Sequence, residues 1–388
     1  MKRFLLAGAL VIACSSKGAA SGETITSGDG PGDPGPGGVR FTASGEVLAL
    51  TGYPFPPASD SDPVFVDGWE VHFTRLLVTI GNVTLSENPD LSPGDQSRTG
   101  AVVARLDGPW AIDLAHADAS NLPGKGDTPG EQAIPFESIA KNDALKTEGT
   151  RYAFGFDAVA ATTSAKQINL DAAAKADYDQ MIANGCAVLY VGHASFKGDK
   201  SDASCYPPDR QSFPDEVDFR LCFKSPTSYE NCQNADNGGA AFPNEESQRG
   251  IALLGSSSTI AQITFHTDHP FWDSTLHESP LHFDQFAARA SQGTLTLEDT
   301  KGVDYTEITD KAGKALQWRY CVDPGSEVHA KFSGTMRFSP QNVPHASGAD
   351  PASGLRDYYD FSTYDQSTQG HLNADGLCFV KRNYASPP

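Results

Sequence analysis

Between Trp69 and Ile80 the apolar positions change parity without a break. Trp69, Val71 and Phe73 alternate with Glu70, His72 and Thr74, and then Leu76, Val78 and Ile80 take the other phase. Successive side chains of a strand point to opposite faces, so one buried face survives this shift only if a residue is inserted. The pattern therefore predicts a half-buried strand with a bulge or bend at Thr74 and Arg75. Runs of β-branched and aromatic residues between Gly, Pro, Asp and Asn clusters predict further strands at Val102 to Leu106, Arg151 to Phe156, Ala187 to Phe196, Val217 to Phe223, Thr259 to His266 and Gly293 to Leu297. In Val217 to Phe223 every odd position is apolar, while Asp218, Arg220 and Cys222 share the other face. Helical signals are confined to Asp171 to Asn184, followed by Gly185 as a C-cap, and to the shorter Leu281 to Ala290. The expected fold is mainly β, an antiparallel β-sandwich or open barrel with a few short helices in its connections.

The N-terminus has a different pattern. Lys2 and Arg3 precede an unbroken apolar run from Phe4 to Ala13, which is the anatomy of a signal peptide. The run is too short to cross a bilayer, which needs about 20 apolar residues. The segment Val11-Ile12-Ala13-Cys14 resembles the lipobox of bacterial lipoprotein precursors. That resemblance implies cleavage before Cys14, with acyl chains such as palmitate on its side chain. Two chains anchor a protein stably where one does not. Ser15 resembles the residue found in lipoproteins sent on to the outer membrane, so the expected place is the cell envelope, lipid-anchored, on a side the sequence leaves open. Residues 15 to 38 are mostly Gly, Ser, Pro, Asp and Ala and predict a disordered tether. The expected organisation is a signal peptide over 1–13, the lipidated tether over 14–38, a sandwich body over 39–272 and a loop-rich region over 273–388 that packs on that body or stands apart.

Charge narrows the partners. The chain carries 29 basic and 49 acidic residues, and loss of Lys2 and Arg3 leaves 27 against 49, a net charge of −22. Such a surface suits neither nucleic acid nor direct adsorption to anionic lipid, so membrane contact is expected through the lipid. Protein partners remain open. Setting Cys14 aside leaves six cysteines, Cys186, Cys205, Cys222, Cys232, Cys321 and Cys378, an even number that points to disulfides in an exported chain. Nearness in sequence suggests Cys186 with Cys205, Cys222 with Cys232, and Cys321 with Cys378. The absence of Cys-x-x-Cys argues against a thiolate metal site.

Candidate chemistry gathers in one stretch. His266, His269, His277 and His282 are four of the chain's ten histidines, and Asp268, Asp273, Glu278 and Asp284 are interspersed with them. Alternation puts His266 on the polar face of its strand with Gln262 and Thr264, and His269 follows in a turn enforced by Pro270. Two imidazoles so placed can converge on copper or zinc, with Asp268, His277, His282 or a distant residue such as His72, His116, His193 or His371 completing the site. The competing expectation is that these histidines only hydrogen-bond in loops. Closely spaced His and Trp in His266-Thr267-Asp268-His269-Pro270-Phe271-Trp272 resemble the methanobactin-associated copper-binding proteins, whose sites combine His with an oxidised Trp. The resemblance implies that His266 and His269 are ligands and that Trp272 is the modified aromatic residue.

Other motifs are weaker. Ala288 to Asp299 has the Gly and the acidic end of a calcium loop, but Ala288, Ala290 and Gln292 stand where oxygen ligands are required. Gly-x-Ser-x-Gly, His-Glu-x-x-His and phosphate-loop motifs are absent, which weighs against an enzyme. The aromatic run Tyr358 to Tyr364 reads as core packing rather than a sugar or peptide platform. The leading expectation is a non-enzymatic, lipid-anchored binding protein for a transition metal. A structural or partner-binding envelope lipoprotein without metal and a hydrolase are the alternatives.

Overall fold

A computed structural model describes residues 24–322 and 355–384, apart from residues 60, 127, 148, 276–278, 306 and 317–318. Cys14 and the expected signal segment, His277, and the rest of the expected tether up to residue 23 lie outside the described residues.

Two sheets form the body. The larger runs through Thr294–Thr296, Glu216–Phe223, Val188–Phe196, Trp69–Ser86, Arg151–Ala158, Thr227–Glu230 and Phe379–Arg382, with short strands added at its margins. The smaller has the order Gly376–Leu377, Gly370–Leu372, Thr259–Phe265, Val39–Ser44, Gln132–Ile139 and Leu122–Pro123. Most neighbours are antiparallel, but Val39–Ser44 runs parallel to Thr259–Phe265, and Glu216–Phe223 runs parallel to Thr294–Thr296. The fold is thus mainly β and sandwich-like, with no closed barrel among the described residues.

The parity shift has its expected consequence. Trp69–Ser86 is one 18-residue strand whose register against Val188–Phe196 slips between Phe73 and Arg75, so Thr74 is the inserted residue and both apolar series stay buried. Phe41 of the small sheet stacks on Phe154 of the large one at 6.2 Å, and Phe156 meets Phe265 at 6.0 Å, closing the core between the layers. Helix Ala172–Asn184 starts at Asp171, whose side chain accepts from the Ala174 N–H, and ends on Gly185 in the left-handed region. The aromatic run folds as helix Tyr358–Gln366, buried along its whole length.

Two expectations are corrected. Residues 24–38 are not free tether. Ile25 bridges to Ala104, Asp29 N–H donates to Ser138 O at 2.9 Å, and Ser138 Oγ donates to Gly30 O at 2.6 Å. The segment has little to bury, yet backbone groups and the buried side chains of Glu137 and Ser138 hold it. Gly28 packs so tightly on Glu137 that a Cβ would come within 2.5 Å of its carboxyl carbon.

The disulfides are Cys186–Cys222, Cys205–Cys321 and Cys232–Cys378. All six cysteines are used, but strand pairing rather than sequence distance chooses the partners. Cys222 lies opposite Leu189, three residues beyond Cys186, and the register of Glu230 with Phe379 brings Cys232 to Cys378. The loop-rich C-terminal region thereby contributes strands to both sheets. The calcium-like loop has a structural use as well, because Asp299 caps the turn Leu297–Thr300 by accepting from the Thr296 N–H at 2.8 Å.

Candidate metal centre

Strand Thr259–Phe265 positions the first candidate, His266. It lies between Val39–Ser44 and Gly370–Leu372, and its last pair, Phe265 with Gly370, is extended by His266 N–H donating to Gln369 O at 3.0 Å. His371 sits opposite Thr264. Thr264 and His266 share one face of the strand, so His371 and His266 become diagonal neighbours with ring centroids 4.2 Å apart. After Phe265 the chain turns, and the Tyr53 hydroxyl pins Thr267 Oγ1 at 2.6 Å. Pro270 then fixes a single turn over His269–Phe271. That turn sets the His269 ring 5.5 Å from His266 and 5.7 Å from His371.

Asp268 joins them. One nitrogen from each of His266 and His269 and one carboxylate oxygen of Asp268 all lie within 4.8 Å of one another. Asp268 Oδ2 accepts from Trp272 Nε1 at 3.1 Å, and the Trp272 indole stacks on the His269 ring with centroids 3.9 Å apart and planes inclined by 29°. His269, His371 and Trp272 are buried, His266 is nearly so, and Asp268 is partly exposed.

A second carboxylate approaches from a residue that gives no signal in sequence. Glu46, at φ 60°, places Oε1 3.2 Å from His266 Nδ1, and Asp375 completes a further group with these two. Burial, together with the charges of Asp268, Glu131 and Asp375, pushes the Glu46 carboxyl up to about 7 against the pull of His266. Burial would lower the His266 imidazole, but Glu46 and Asp268 outweigh it and raise it. The other ring nitrogen, Nε2, lies 3.2 Å from Ala374 O.

The remaining candidates fall elsewhere. His282 is not in the group formed by His266, Asp268 and His269; its ring is buried between Asp273 and Asp67, at 3.3 and 3.6 Å. Burial would depress it, yet hydrogen bonds and charge from these two carboxylates take it up to about 9. His72 and His193 pair across the exposed face of the large sheet, and His193 bridges Asp218 and Glu216 at 2.7 Å each. Of the four distant histidines, His371 is the one brought to His266 and His269.

The donor set fits a borderline cation. Imidazole suits copper and zinc, and a carboxylate adds charge compensation. Bonds near 2.0–2.1 Å place ligand atoms about 3.3 Å apart in a tetrahedral site, so the three ligand atoms would draw together from their present spacing of up to 4.8 Å on binding. His266, Asp268 and His269 would hold the ion, with the buried ring of His371 beside them at 4.2 Å from that of His266. Comparison with known families, curated proteins and solved structures finds no match.

Proposed function

We propose that this chain is an exported, lipid-anchored, non-enzymatic protein that binds a single copper or zinc ion. The observation that carries the reading is the convergence of His266, Asp268 and His269 ligand atoms within 4.8 Å, beside the buried ring of His371. A bland loop role would not require two imidazoles and a carboxylate from one turn to face each other, with a third imidazole arriving from a strand about a hundred residues later. The lipobox-like segment at Cys14 supports the outer membrane as the place of anchoring, and the acidic surface supports lipid as the means. No helix among the described residues is long and apolar enough to cross a membrane.

The test uses the mature chain with Cys14 replaced by Ser, dialysed against Cu2+ and Zn2+ and analysed for metal by mass spectrometry. One ion per chain, lost in His266→Ala/His269→Ala with the fold retained, is the expected result. Equal uptake by the double variant, or none by the wild type, overturns it and favours a partner-binding envelope protein without metal.

A further inference from the structure

We infer that Thr368 is a positioning residue for this centre, locking His269 in the tautomer that offers Nε2 to the metal. The inference rests on the metal reading above. Thr368 follows helix Tyr358–Gln366, and its backbone N–H and its hydroxyl both reach the Asp365 carbonyl, at 2.9 and 2.7 Å. The same hydroxyl oxygen lies 2.7 Å from His269 Nδ1.

These contacts settle who donates. A hydroxyl has one hydrogen, and a carbonyl oxygen can only accept. If that hydrogen turned to Nδ1, two oxygens would face each other at 2.7 Å with nothing between them. The hydroxyl therefore donates to Asp365 O and accepts from His269 Nδ1–H. In the neutral ring the lone pair then resides on Nε2, the nitrogen that faces Asp268 Oδ1 at 4.0 Å. Stacking on Trp272 fixes the plane of the same ring. The chain Asp365 carbonyl, Thr368 hydroxyl, His269 Nδ1–H is the arrangement by which ligand histidines are oriented and their basicity raised.

Thr368 is partly exposed and Asp365 is buried, so a change confined to the hydroxyl should spare the fold. Thr368→Val keeps the shape and removes both bonds, whereas Thr368→Ser keeps the hydroxyl.

Nitrogen-15 NMR of the metal-free protein, above the pH at which His269 is protonated, reads the tautomer directly. The wild type and Thr368→Ser should show His269 protonated on Nδ1, and Thr368→Val should lose that preference. Competition titrations with Zn2+ should show affinity about 10- to 100-fold lower in Thr368→Val and recovered in Thr368→Ser. A wild-type His269 protonated on Nε2 overturns the assignment without any variant. Unchanged tautomer and affinity in a folded Thr368→Val also overturn it. A wild type with the Nδ1–H tautomer that takes up neither Cu2+ nor Zn2+ overturns the metal reading instead, and with it the role of Thr368 as a metal positioner.

Discussion

Trp272 and His269 lie ring over ring, 3.9 Å between centroids, and the indole N–H of Trp272 is bonded to Asp268, the carboxylate of the same donor set. An ion held by His269 and Asp268 is therefore in contact with the electronic surroundings of Trp272. Binding of Cu2+ should quench part of the tryptophan emission with the same midpoint as metal uptake, and Trp272→Phe should abolish that component while Trp69 and Trp110 continue to emit. Quenching of equal depth in Trp272→Phe would place the ion elsewhere.

His282 makes a separate, pH-dependent contribution to stability. Its folded value of about 9 exceeds the ordinary 6.5, so the folded state binds the proton more tightly. The stabilisation is complete below pH 6.5 and is lost as pH rises through about 9. At 1.36 kcal/mol per pKa unit it amounts to at most about 3 kcal/mol. Urea unfolding of the wild type should weaken between pH 7 and 10. His282→Leu, which leaves Asp67 and Asp273 buried without the cation, should be destabilised by about 3–5 kcal/mol at pH 6. A flat wild-type profile across that range would refute the paired state.

The sandwich was legible from local alternation, because the parity shift at Thr74 and the odd-position apolar run of Val217 to Phe223 each report a buried face directly. His266, Asp268 and His269 were legible for the same reason, being set by one strand end and one proline turn. His371 could be named only among several distant histidines, since nothing local reveals its register opposite Thr264. Glu46 and Thr368 carry no pattern at all. One depends on a left-handed turn and the other on where a helix ends in space. The cysteine partners failed in the same way, as pairing across strands is invisible to sequence distance. Residues 24–38 look disordered because composition reports what a segment can bury, whereas backbone bonds to the buried strand Gln132–Ile139 hold them.

Cys232–Cys378 should couple stability to the metal centre. It closes a separation of 146 residues and ties down the end of the hairpin that bears His371, so chain entropy assigns it about 5 kcal/mol. Cys232→Ser/Cys378→Ser should lower Tm markedly and weaken Zn2+ binding as well. The pair Cys186–Cys222 joins the lead-in of strand Val188–Phe196 to strand Glu216–Phe223 in the larger sheet, whereas His371 is in the smaller, and its removal should cost stability with little change in affinity. Equal effects on affinity from both pairs would contradict this division.

Lipidation at Cys14 predicts that a fatty-acid analogue labels the wild type in cells and leaves Cys14→Ala unlabelled, with the variant found in the soluble envelope fraction. Labelling that persists in Cys14→Ala would refute the lipobox reading.

The most direct measurement is X-ray absorption and electron paramagnetic resonance of the Cu2+-loaded mature chain. One copper with two or three imidazole nitrogens near 2.0 Å and an oxygen ligand is expected, with loss of that signature in His266→Ala/His269→Ala. A copper signal without imidazole nitrogen, or one that the double variant leaves unchanged, would contradict it.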